Sequence, residues 1–340
     1  MPKMRIFYWI HHTGIAEGNI GVQRIVRMLA GRLASNGDIE LVPVRWCAES
    51  EAIVRAESVW VRGLARFSGP SLEEPSEPGE ALHLAAADAG RLFGAWLLIP
   101  EVTHLPSPAH APNAPLALAL DYARYYQMRS ALIFYDLIPL RLPNYESMVS
   151  DHLRYAQALA GADLILPISR TSADDLKAWW REQAYDPDRL PTVRPVLLRA
   201  EMPGIPRMTR MSSPGDQALR IAAWDSILPH KNQVAMMRAF NRLHWRRPDL
   251  DLRLDVVGAF SPSVADAARA EETASDGRIQ LHGQLSDAAL SALVQDSHAT
   301  AFVSLFEGFG LPIAEACGLG GHASVRTSVP WPRLPRAADA

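Results

Sequence analysis

Short apolar, β-branched or aromatic runs alternate with amphipathic segments along most of this 340-residue chain. A strand that is apolar along its whole length must be buried on both faces, and βα units wound around a parallel sheet achieve that. The expected class is therefore α/β. Strands are expected at Arg5 to Ile10, Glu40 to Trp46, Ala95 to Ile99, Ala131 to Asp136 and Asp163 to Ile168 in the first half. The clearest helix places Val22, Ile25, Val26, Leu29 and Leu33 on one stripe, with Gly37 as its stop. Arg24, Arg27 and Arg32 lie off that stripe, on a face that reads as solvated or as resting on anionic lipid.

Between Pro187 and Pro214 the chain carries Pro191, Pro195, Pro203, Gly204 and Pro206 with little periodicity, the look of an interdomain crossing. Two domains are expected, at 1–200 and 218–340, joined by a linker at 201–217. After it the alternation restarts with a strand from Leu219 to Trp224, a helix bearing Met236, Ala239, Phe240 and Leu243, and strands at Leu252 to Val257 and Arg278 to His282. A helix capped by Ser286 follows, with Leu285 and Leu290 as a hydrophobic staple, then a strand from Thr300 to Ser304.

Several function classes are excluded. Lys+Arg 34 against Asp+Glu 37 gives a net charge of -3, so no basic field exists to hold a nucleic acid. The two cysteines, Cys47 and Cys317, have no ligand-spaced partners, which argues against a disulfide framework or a structural zinc and fits a reducing cytoplasm. The apolar runs, such as Trp96 to Ile99 and Ala114 to Leu120, fall short of the roughly 18 residues of a membrane span. The N-terminal stretch reads as a first strand and not as a signal peptide.

The most informative segment runs from Leu305 to Gly318. It reads as a strand end, a glycine turn through Gly308 and Gly310, and a helix beginning around Leu311 with Pro312 in its first turn. Glycines let backbone N–H groups approach a ligand, and a helix N-terminus offers partial positive charge to phosphate. Glu307 at the mouth and Glu315 a turn into the helix suit sugar hydroxyls better than phosphate, which points to a nucleotide or nucleotide sugar. The alternative reading makes Glu307 a helix cap and Glu315 a solvated helix residue.

Glu307-Gly308-Phe309-Gly310-Leu311-Pro312, followed by Glu315-Ala316, resembles the E-x7-E signature of retaining GT-B glycosyltransferases related to glycogen synthase, sucrose synthase and bacterial mannosyltransferases. Trp224 to Asn232, ending Pro229-His230-Lys231-Asn232, resembles the block these relatives close with Arg-Lys-Asn, with His230 in place of the arginine. Val256-Val257-Gly258 and Gln280 to Asp287 resemble successive family blocks. In the first half the similar segments are Gly21-Val22-Gln23-Arg24, Tyr135 to Leu140 and Ile168 to Ser172. Tyr135 stands before Asp136 where many relatives carry histidine.

The resemblance implies a GT-B fold, two Rossmann-like doubly wound domains with the active-site cleft between them, the first on the acceptor side and the second holding the nucleotide sugar. It implies Lys231 on the donor diphosphate, assisted by His230 if protonated, Glu307 on hydroxyls of the donor sugar and Glu315 on the ribose. The backbone of Gly308, Phe309, Gly310 and Leu311 would meet sugar and phosphate, and the residues around Gly283 would border the base. The loop from His12 to Gly21 would face the donor, and His12 and Asp136 complete the catalytic set. His11 and His12 are equally readable as plain strand-end histidines.

The implied activity is retaining, metal-independent transfer of a hexosyl group, mannosyl among the candidates, from a GDP-, UDP- or dTDP-linked donor. The acceptor would be a glycan or polyprenyl-linked glycan of a bacterial surface polysaccharide such as lipopolysaccharide. The nucleotide sugar is a substrate, and no cofactor, metal or nucleic-acid partner is expected. The implied place is the cytoplasm, with peripheral contact at the inner face of the membrane admitted by the arginine face.

From about residue 319 the sequence leaves the family pattern, and Pro330, Pro332 and Pro335 break any regular element there. This leaves about four strands in the second domain, an incomplete sheet with an exposed edge. The competing reading is therefore a catalytically inactive or truncated GT-B protein that binds nucleotide or a partner without turnover.

Overall fold

The computed structural model describes residues 3–67, 69–74, 76–103, 116–198, 218–318 and 323–325. The chain divides into two compact units, Met1–Leu197 and Leu198–Ala340. The expected linker at 201–217 lies outside the described residues.

The first unit runs β1 (Met4–Trp9), α1 (Gly21–Ala34), β2 (Ile39–Cys47), β3 (Ala52–Arg55), α2 (Ser58–Leu64), β4 (Trp96–Ile99), α3 (Leu116–Tyr125), β5 (Arg129–Phe134), α4 (Ile138–Arg141), α5 (Glu146–Ala158), β6 (Leu164–Pro167), α6 (Arg170–Glu182) and β7 (Thr192–Val193). Its sheet has the order β3-β2-β1-β4-β5-β6-β7. All pairs are parallel except β2 with β3. All five strands expected from the sequence are present within two residues at each end. β3 and β7 were not anticipated, since four and two residues are too few to show a period. Central β1 is apolar and buried from Ile6 to Trp9, which is why it takes the middle of the sheet.

The three-arginine face of α1 does not exist as a face. Arg27 is buried, and its guanidinium donates to the carbonyls of Thr13, Gly18 and Gly63 and to Asn19 Oδ1, while Arg24 is half-buried and Arg32 exposed. Burial, with the charge of Arg66 nearby, lowers the Arg27 pKa to about 10. One of the three charges offered to anionic lipid is thus spent on the protein's own loop carbonyls.

The second unit runs β8 (Leu219–Trp224), α7 (Gln233–Arg246), β9 (Leu252–Val257), α8 (Pro262–Ala274), β10 (Ile279–Leu281), α9 (Asp287–Gln295), β11 (Ala299–Phe302), α10 (Leu311–Gly318) and β12 (Ala323–Val325). The order is β10-β9-β8-β11-β12, parallel throughout. Alternate residues of β8 and β9 feed opposite faces. Leu252, Leu254 and Val256 pack with Met237, Phe240 and Ala268 of α7 and α8, whereas Ala222, Trp224 and Val257 pack with Leu290 and Val294 of α9. Ser286 caps α9 by accepting the Ala289 N–H, and Leu285 joins Leu290 in the same cluster, as the staple requires.

β12 corrects the four-strand expectation. Ala323, Ser324 and Val325 pair with Thr300, Ala301 and Phe302, so the chain forms a regular element between Gly318 and the first of the three prolines, and β11 becomes an inner strand. Residues 319–322 and 326–340 lie outside the described residues. Among the described residues no helix is long and apolar enough to cross a membrane.

Asp88, unlisted by any motif, locks the excursion before β4 onto the first sheet. Its wholly buried carboxylate accepts from Arg5 at 2.5 Å and from Arg55 at 2.6 and 3.0 Å, and Arg5 also pairs with Glu40. Asp88→Ala leaves two buried guanidinium groups undercompensated, an expected loss of about 3–5 kcal/mol in chemical denaturation. A loss under about 1 kcal/mol, the range of an exposed pair, would refute this role.

Candidate functional site

In an open parallel sheet the crevice for a ligand lies at the carboxyl ends of the strands where the order reverses. In the second unit that point is between β8, which starts the chain's course toward β9 and β10, and β11, which starts it toward β12. A recess there is lined by Trp224, Asp225, Lys231, Gln233 and Ser304 among others.

The loops that bring the charges together are tied to each other. Leu305 N–H donates to the His230 carbonyl at 2.7 Å, and Asn232 Nδ2 to the Val303 carbonyl at 3.3 Å, stitching the turn before α7 to the loop after β11. Asn232 itself adopts the left-handed conformation (φ 60°) that ends the turn and starts α7. As a result Lys231 and Glu307, far apart in sequence, meet with Nζ 2.7 Å from Oε1. On its other side Nζ lies 2.5 Å from Asp225 Oδ2. All three side chains keep partial exposure, 12% for Lys231, 21% for Asp225 and 20% for Glu307, so an arriving ligand can reach them.

Burial works against the ammonium, but the Asp225 and Glu307 carboxylates outweigh it and hold the Lys231 pKa above its ordinary value. Burial, reinforced by Asp225 and opposed by Lys231, raises Glu307. The group is a cation clamped between two anions.

Gly310 occupies the left-handed region (φ 81°), and its carbonyl accepts from Ile313 and Ala314 N–H groups at the start of α10. The expected glycine turn from Gly308 through Phe309 and Gly310 to the helix at Leu311 is thus formed. Glu315 is buried and not solvated, and it accepts from Trp224 Nε1 at 2.9 Å. Gly283 receives the Gly258 N–H on its carbonyl at 2.8 Å, next to His282, whose Nε2 lies 2.7 Å from buried Asp255. At Gly258 a β-carbon would fall 1.7 Å from the Asp225 carbonyl oxygen, so only glycine permits this approach of the β9 end to the β8 end.

His230 is a correction. Its side chain is buried, and burial together with the charge of Lys231 lowers its pKa to about 3. It is neutral near pH 7 and supplies no second cation. Of the two Asp-x-Asp spacings, Asp186 to Asp188 and Asp249 to Asp251, three carboxylates are engaged. Asp186 caps its own turn, Asp249 pairs with Arg247 and Asp251 with Arg278.

In the first unit, the order reverses between β1 and β4. His12 follows β1, with its N–H on Glu101 Oε2 at 2.9 Å and its ring Nε2 donating to the Thr103 carbonyl at 3.0 Å. Glu101 takes the Thr13 N–H on its other oxygen, so a buried carboxylate after β4 holds the loop after β1. Asp136 follows β5 and accepts the Ile138 N–H at 2.9 Å, turning the chain into α4. Gly21 opens α1 at the surface, preceded by Ile20, whose N–H donates to Gln23 Oε1. The residues that sequence reasoning passed over are Asp225, Trp224 and Glu101. Their one signal was position, at or just past a strand end beside a reversal of order.

Residues 219–330 match the family described as Glycosyl transferases group 1. The match runs through the stretch after 319 where a departure was expected. The serotype-specific mannosyltransferase WbdA of Escherichia coli is 29% identical over 216 residues, 59% of this chain and 26% of that protein. The chain spans about a quarter of the length of the curated relatives it matches. Among solved structures, Anabaena HepE, determined with UDP and glucose, superposes with a TM-score of 0.54 at 13% identity over 94% of this chain and 80% of its own. The α,α-trehalose 6-phosphate synthase of Burkholderia multivorans gives 0.53 at 11% identity over 96% and 83%.

The His230 assignment has a pH signature. Because its folded pKa is depressed, neutral His230 contributes stability in full above about pH 6.5, and that contribution falls away as pH drops toward 3. His230→Asn should therefore flatten the loss of stability between pH 6.5 and 3, seen in denaturation curves across that range. Parallel curves for the two proteins would show that His230 titrates normally. Taken together, the two doubly wound units have a GT-B-like fold, and residues 219–330 are similar to the group 1 glycosyl transferases.

Proposed function

We propose that this chain is a retaining, metal-independent glycosyltransferase that moves a hexosyl group, mannosyl by analogy with WbdA, from a nucleoside diphosphate sugar to a glycan or polyprenyl-linked glycan. The observation that carries this reading is the clamped Lys231 ammonium beside Glu307 at the reversal point of the second sheet, on the two segments that bear the family motifs. As the bond from the anomeric carbon to the diphosphate breaks, negative charge builds on the leaving oxygens, and a cation already in place there lowers the barrier. Lys231 is a compact charge on a flexible stem that follows that charge from ground to transition state. The leaving phosphate takes the acceptor's proton on the same face, so no carboxylate nucleophile is required.

Glu307 accepts hydroxyls of the donor sugar, and Glu315, oriented by Trp224, receives the ribose. The Gly308 to Leu311 backbone lies against sugar and phosphate, and the Gly283 turn borders the base. His12 and Asp136 complete the catalytic set. The donor is GDP-, UDP- or dTDP-linked, and the work is done on the cytoplasmic side, in synthesis of a surface polysaccharide. The family match to residue 330 and the extra strand β12 favour a working domain over a truncated binding protein.

Calorimetry with GDP, UDP, dTDP and ADP tests this. One nucleotide is expected to bind, and Lys231→Ala to lose it while keeping its fold by circular dichroism. With the matching donor, Lys231→Ala and Glu307→Ala should each lower transfer by at least about 100-fold. Turnover unchanged in both would refute the assignment.

A further inference from the structure

Asp225 has no part in that reading, yet its carboxylate is the nearer partner of Lys231, at 2.5 Å against 2.7 Å for Glu307. One carboxylate suffices to neutralise one ammonium. The second leaves a surplus negative charge in the place where a diphosphate must arrive, and a like charge there is costly to an anion. His230, the other titratable side chain on the turn, is buried and neutral and offsets none of it.

Asp225 is also the partner least able to move. Its N–H donates to the Val257 carbonyl at 3.0 Å, and its Oδ1 accepts from Ser226 N–H at 2.7 Å. Gly258 presses directly against its carbonyl, and Ser226 is held in turn by Gln233 Nε2. Lys231, by contrast, reaches the cluster on a stem with four rotatable bonds. When an anion competes for the ammonium, the lysine changes partner and Asp225 stays where it is.

We infer that Asp225 is an internal counter-ion that competes with the donor diphosphate for Lys231 and reclaims the lysine when the nucleoside diphosphate product leaves. This rests on the reading of Lys231 as the diphosphate cation. In the ligand-free protein the contact gives the ammonium a second, fixed acceptor beside Glu307. In turnover it weakens the grip on product, trading affinity for release.

The test is calorimetry of UDP, GDP and dTDP binding to wild type, Asp225→Asn, Asp225→Ser and Lys231→Ala. Asn keeps an oxygen for the Ser226 N–H while removing the charge, and Ser is a second neutral variant should Asn fold poorly. The nucleotide that binds wild type should bind both Asp225 variants on the order of tenfold tighter, with slower dissociation in stopped flow, and should not bind Lys231→Ala. Equal or weaker binding to the Asp225 variants, with loss in Lys231→Ala, would overturn the inference and make Asp225 a positioning residue for the lysine. Binding that is indifferent to Lys231, or no binding of any of the three nucleotides to wild type, would overturn the proposed function and this inference with it.

Discussion

Burial of both faces of a parallel sheet is the constraint from which the rest of this molecule follows. In the second unit Val256 faces α7 and α8 while its neighbour Val257 faces α9, so neither side of the strands is left for solvated chemistry. Polar groups are driven to the strand ends. Right-handed crossovers then determine which ends stand beside a gap, and the reversal between β8 and β11 opens that gap next to Asp225, Lys231 and Glu307.

The ion clusters around Asp88 and Lys231 use the same physics toward different ends. Asp88 is sealed, with the guanidinium groups of Arg5 and Arg55 around one carboxylate and Arg5 also paired to Glu40, and a sealed cluster can only hold structure. Lys231 sits in a recess with the opposite stoichiometry, two carboxylates around one cation, and its members stay partly exposed. Low dielectric strengthens both. Accessibility makes the second a place where an incoming anion changes the balance.

Most of the second sheet was legible from residues alone. The bounds expected for β8 and β9 are those found, because each is a six-residue run between polar turns. Ser286 announced its helix through its hydroxyl, and Gly310 its turn through the left-handed backbone it alone accommodates cheaply. β12 was hidden because three residues carry no period and their strand character comes from pairing with β11. The arginine stripe of α1 misled for a related reason, since helical spacing gives the angle of Arg27 but not the loop that folds over it.

The sequence by itself determined the class of fold, the order of elements, and the two motif segments that carry Lys231 and the paired glutamates, since periodicity and turn chemistry act over a few residues. Only the tertiary structure decided that Lys231 is clamped by two carboxylates, that His230 is neutral, and that Glu315 is held by Trp224. Charge state and partner depend on desolvation and on groups within a few ångströms, and those are supplied by strands that lie far apart along the chain.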